Sequence, residues 1–92
     1  MIIAGMATMP GRAAQLEQAL ASVAPQVDVL YLHRNRALDC GPLPALPRNV
    51  RVGGSSWNMG DIAKFDVLLR HPLALCARVL LTLDDDIVYP PD

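Results

Sequence analysis

The chain has almost no charge surplus. Eight Lys and Arg stand against nine Asp and Glu, a formal net charge of −1 at pH 7, so the basic footprint that nucleic acid requires is missing. No nucleic-acid partner is expected. Cysteine is scarce: Cys40 and Cys76 stand far apart, with no C-x-x-C spacing and no histidine at metal-site intervals. That favours free buried thiols over a disulfide or a zinc site. Long apolar runs are missing too. The opening MIIAGMATMP has no basic n-region, is too short to span a bilayer and soon meets Pro10, so it reads as a buried strand. A cytoplasmic chain without a transmembrane segment is expected. Repeats, low-complexity tracts and linkers are likewise absent, while a hydrophobic fraction of 52% excludes a disordered chain. Ninety-two residues suffice for one small domain over residues 1–92 but are few for an enzyme holding two substrates.

Apolar runs of strand length alternate with segments of helical period. Residues 2–7 (IIAGMA) lack polar alternation, as in a strand buried on both faces. After Pro10, Leu16, Leu20 and Val23 recur at i, i+4 and i+7 with Glu17 turned outward, and Pro25 follows, which predicts an amphipathic helix and its stop. Residues 27–32 (VDVLYL) read as a second strand, and residues 49–52 as a short third within a Pro- and Gly-rich connection. A second helix is predicted from Asp61, an N-cap type, through Ile62, Phe65 and Leu69 to His71, where Pro72 ends it. Residues 78–83 (RVLLTL) form the last strand. This order predicts an α/β fold: a Rossmann-like parallel sheet of about four strands with helices on both faces, since parallel strands need crossovers. Such sheets bind ligands beyond the carboxyl ends of their strands.

Asp84, Asp85 and Asp86 lie at that end of the last strand. Three adjacent carboxylates repel one another, so water, a basic neighbour or a divalent cation must offset the charge. On extended backbone Asp84 and Asp86 share one side and Asp85 faces the other. Two oxygen ligands on one side suit Mn²⁺ or Mg²⁺, completed by water and substrate phosphates. The alternative is a solvated acidic turn.

The string TLDDDIVYPPD resembles the D-x-D region of GT-A glycosyltransferases, the nucleotide-sugar-dependent enzymes whose first half is a Rossmann-like sheet. Three further stretches agree in order: ATMPGR after the first strand, LHRN after the second, and NMGDIAKF opening the second helix. The pattern resembles family 2-type enzymes and spreads over nearly the whole chain. The resemblance implies strand order 3-2-1-4 and a metal at Asp84 and Asp86, with Asp85 in a supporting role on the ribose or metal-bound water. It also implies transfer of a sugar from a nucleotide-diphosphate sugar, UDP-sugar being favoured, to an unknown acceptor. The general base of such enzymes lies well after the D-x-D, so the chain is expected to be the donor-binding, N-terminal half of a GT-A fold. Alone it is expected to be inactive and to self-associate through an exposed sheet edge.

Further residues carry paired readings. Thr8 and Arg12 flank Pro10 at the first strand-to-helix turn and either meet a nucleotide or serve as helix cap and solvated charge. Asn35 sits where the resembled family places a polar residue against base or ribose, though many members are acidic there; Arg34 and Arg36 flank it. Lys64, in a first helical turn, is unfavourable for the helix dipole, for which a nearby diphosphate is one reason; a solvated lysine is the other. Asp61 reads as an N-cap, Trp57 as packing. His33 and His71 have no partner at catalytic spacing. Two rival functions stand beside the transferase: a nucleotidyltransferase, for which MPGR is a poor phosphate loop, and a non-catalytic domain that binds nucleotide, metal or a partner.

Overall fold

The structure, a computed structural model, describes residues 1–43, 45–65 and 79–90. Four strands, β1 (Ile2–Thr8), β2 (Val29–Arg34), β3 (Val50–Gly54) and β4 (Val79–Asp84), form one sheet in the order β3-β2-β1-β4. Every pairing is parallel. The α/β, Rossmann-like parallel arrangement is therefore as the sequence predicts, and the strand order is the one the resemblance implies. Register matters most at the carboxyl ends, where Thr8 lies opposite Arg34 and Ala7 opposite Asp84. Three chain turns thus leave the sheet along one edge.

The first crossover is α1 (Ala13–Val23), entered through Gly11, whose φ of 88° is a conformation that side-chain-bearing residues avoid. Leu16, Ala19, Leu20 and Val23 are buried, as the helical period requires, and Glu17 is exposed. Arg12 is the N-cap and no side chain caps the helix, so Thr8 is not the cap that its position suggested. Pro25 ends α1, but the chain continues through a 3-10 turn, Ala24–Gln26. That turn delays β2 by two residues relative to the expected start at 27. Asn49 seals it, its amide donating to the carbonyls of Ala24 (2.8 Å) and Val27 (3.0 Å).

Ala4, Met6, Leu30 and Leu32 pack with Leu16, Leu20 and Val23 of α1 in one core. Each fully buried side chain of this size contributes about 1.5 to 3 kcal/mol. Only the two inner strands are mostly buried: β3 is exposed after Val50, and β4 is exposed except at Leu83. The apolar run of residues 2–7 predicted a strand buried on both faces, and β1 is largely buried, whereas β3 and β4 are mostly exposed as the outer strands of the described sheet. On β2, burial pushes the Tyr31 phenol above its ordinary pKa of 10.0, partly offset by the Arg51 guanidinium.

Gly60–Ile62 form a 3-10 turn and residues 63–65 are helical. The rest of the helix predicted to residue 71, the cover of the second sheet face, His71 and Cys76 lie outside the described residues. Among the described residues no helix is long and apolar enough to cross a membrane.

Candidate functional site

Beyond the carboxyl ends of β1, β2 and β4 lies a cavity of about 230 Å³ lined by Ala7, Thr8, Arg12, Asn35, Gly60, Lys64, Leu83, Asp84, Asp85 and Asp86. All seven side chains singled out for ligand or metal binding therefore face one space. They come from four separate stretches of chain, brought together by parallel strands that end at one level.

The three aspartates take different positions. β4 ends at Asp84, and Asp85 and Asp86 already form a turn, so the side-to-side alternation expected of an extended strand stops short of them. Asp85 is the buried member. Its Oδ2 accepts the Thr8 hydroxyl at 2.8 Å and its Oδ1 accepts Arg12 Nη1 at 2.9 Å. The Asp85 side chain is 4% exposed and that of Arg12 43%, so the carboxylate is fixed while part of the guanidinium fork stays open to the cavity. Asp85 thus anchors the acidic turn to the β1–α1 turn, which the supporting role expected of it did not foresee.

Asp84 is half open to solvent and accepts Lys64 Nζ on Oδ1 at 3.3 Å, the two side chains being 53% and 16% exposed. Lys64 is therefore not a solvated lysine: it is shielded and holds a carboxylate in this structure. Asp86 is exposed and makes no hydrogen bond or ion pair among the described residues. No group of three or more Asp, Glu, His or Cys side chains converges in a way that could hold a metal ion among the described residues. Asp84 and Asp86 remain as two carboxylates at the cavity mouth, a donor set that a hard cation accepts when water and phosphate oxygens supply the rest.

Asn35 is buried and used within the fold. Its Oδ1 accepts the Met59 amide at 2.9 Å and its Nδ2 reaches the Gly60 carbonyl at 3.4 Å. It shapes the cavity wall by fixing the turn at Gly60, whose φ is 65°. Arg34 and Arg36 do not line the cavity; Arg34 donates to the Gly41 carbonyl at 2.6 Å, and Arg36 pairs with Asp39 at 3.1 Å. Trp57 is exposed, contrary to the packing role expected of it. His33, expected to have no functional role, is buried with Nε2 2.9 Å from the Ser55 hydroxyl. Cys40 is free, as predicted, but only half-buried. The side chain of Asp61 lies outside the described residues.

One contributor escaped the sequence reading. Tyr89 packs against the core, its hydroxyl accepts the Asp84 amide at 2.8 Å, and its own amide donates to Ser22 Oγ at 2.9 Å. Gln26 Nε2 adds a bond to the Pro90 carbonyl at 2.8 Å. The segment after the acidic turn is thus bound back onto α1 and holds the end of β4. An aromatic between the turn and two prolines, which favour extended backbone, was the available signal.

No protein-family model and no curated protein matches the chain.

Proposed function

We propose that the cavity binds the diphosphate of a nucleotide-diphosphate sugar together with Mn²⁺ or Mg²⁺, and that the chain is the donor-binding part of a GT-A-like glycosyltransferase acting in the cytoplasm. The observation that carries this reading is the set of lining residues. Arg12 and Lys64 oppose Asp84, Asp85 and Asp86, two positive charges against three negative, for a local charge of −1. A diphosphate alone meets net repulsion there, whereas a divalent cation reverses the sign. The volume of about 230 Å³ is below the ~300–1,000 Å³ usual for a whole ligand, which suits the charged centre of the donor with nucleoside and sugar extending outward.

Asp84 and Asp86 would hold the cation, which when bound supplies Lewis-acid stabilisation of charge on the departing diphosphate. The open N–H groups of Arg12 point toward a phosphate role, with Asp85 keeping the guanidinium in place. Asn35 acts through the turn it holds and not on the base. No residue here is assigned as the general base for the acceptor hydroxyl, so donor binding without sugar transfer is expected of this chain. The nucleotidyltransferase reading draws less support, because α1 contributes only its N-cap Arg12 to the cavity lining.

Calorimetric titration with uridine and guanosine diphosphates, in Mn²⁺ and in chelator, tests the proposal. Metal-dependent binding, with uridine preferred, is the expected result. Equal binding in chelator removes the cation from the reading, and no binding in either condition removes the nucleotide.

A further inference from the structure

Resting on that reading, the Lys64–Asp84 pair points to a device within the site. We propose that Lys64 is a built-in competitor for the cation: it holds Asp84 while the site is free, and leaves it for the diphosphate when metal and donor arrive together.

Three observations support the exchange. Lys64 Nζ lies 3.3 Å from Asp84 Oδ1, so the carboxylate offered to a cation already carries a counter-charge. The lysine side chain is only 16% exposed, so water cannot fully replace that partner, and an ammonium stripped of its carboxylate must find another anion. Lys64 and Asp84 line the same cavity as Arg12 and Asp86, which puts an incoming phosphate within the lysine's neighbourhood. Metal alone therefore leaves Lys64 without an anion, its remaining neighbour being the Phe65 ring at 6.0 Å. Metal with diphosphate gives every charge a partner: Asp84 and Asp86 face the cation, while Lys64 and Arg12 face phosphate oxygens. The result is positive coupling between cation and diphosphate that passes through one lysine, and linkage makes it reciprocal.

Lys64→Met removes the competitor and Lys64→Arg keeps it. Mn²⁺ affinity, read by water-proton relaxation, is compared among parent and variants, first with the metal alone and then with inorganic pyrophosphate present. Circular dichroism confirms that each variant is folded. With metal alone, Lys64→Met is expected to bind Mn²⁺ about three- to tenfold tighter than the parent, and Lys64→Arg like the parent. With pyrophosphate that advantage shrinks or reverses, because the variant lacks a phosphate partner. A Lys64→Met chain that binds Mn²⁺ no tighter than a parent that does bind it overturns the exchange and leaves the donor-binding proposal standing. If neither chain binds Mn²⁺, the exchange and the metal part of the proposal fall together. If the exchange appears but uridine diphosphate does not bind, only the nucleotide assignment fails.

Discussion

The Thr8 hydroxyl donates to Asp85 Oδ2 at 2.8 Å across 77 positions of sequence. With Arg12 on the other oxygen, the buried carboxylate joins the first strand-to-helix turn to the last described turn. Its loss is therefore a stability effect before it is a binding effect. Asp85→Ala leaves a buried hydroxyl and a guanidinium without their acceptor, and is expected to cost about 2 to 3 kcal/mol. Thr8→Val is expected to cost about 1 to 2 kcal/mol, since one carboxylate oxygen keeps Arg12. Urea unfolding of both variants measures this. Midpoints equal to the parent's would mean that Asp85 anchors nothing.

Asp84 and Asp86 should behave in the opposite way. Asp86 is exposed and has no partner among the described residues, so alanine there is expected to change stability by less than about 0.5 kcal/mol. Asp84→Ala also strips the shielded Lys64 of its carboxylate and is expected to cost somewhat more, about 1 kcal/mol. Binding is where they are expected to count. Asp86→Ala should abolish the Mn²⁺-dependent part of uridine diphosphate binding, and Asp84→Ala should weaken it by roughly tenfold or more, the worth of one charge-assisted contact. Calorimetry in metal and in chelator separates the two components. If both variants bind as the parent does, the acidic run is a solvated turn.

What the sequence revealed, and what it hid, follows from the range of the forces involved. Helical spacing of Leu16, Leu20 and Val23 and the unbroken apolar run of β1 report local burial, which one segment of sequence encodes. Parallel order followed because crossovers allow few alternatives. The cavity was legible as a set of residues, because strand ends in such a sheet gather at one edge. The roles within it were not. Whether Lys64 faces solvent, phosphate or Asp84, and whether Asn35 meets a base or the Met59 amide, depends on ångström-scale placement of separate turns. The turn at Asp85 is another such case. β4 is exposed except at Leu83 and ends at Asp84, and the turn that follows buries Asp85 while Asp84 and Asp86 stay exposed.

Tyr31 gives the fold an alkaline limit. Burial favours the neutral phenol, so the folded-state pKa lies above 10.0. Between the unfolded and folded values the native state binds more protons, and stability must fall as pH rises through that interval. Below pH 10 the contribution is fully present. Thermal unfolding of the parent and Tyr31→Phe at pH 8 to 11 is expected to show the parent losing stability faster above pH 10. Parallel curves would mean that the phenol does not titrate differently on folding.

The outer strand β4 carries the last expectation. Among the described strands it pairs with β1 alone, so its other edge offers backbone donors and acceptors to a neighbour. Natural sheets commonly blunt such an edge with lysine, proline or a bulge. Here the strand reads VLLTLD, and Val79, Leu80 and Leu81 are all exposed, Leu80 by 50%. Apolar side chains on an open edge strand supply both the hydrogen-bonding template and the driving force for pairing. The isolated chain is therefore expected to self-associate with rising concentration. Leu80→Lys should reduce this, because a charge on the edge disfavours a second strand while an exposed position tolerates it. Light scattering from micromolar to millimolar chain, for parent and variant, measures the difference. A parent that stays monomeric over that range would show that the β4 edge does not recruit a partner copy, whatever its composition.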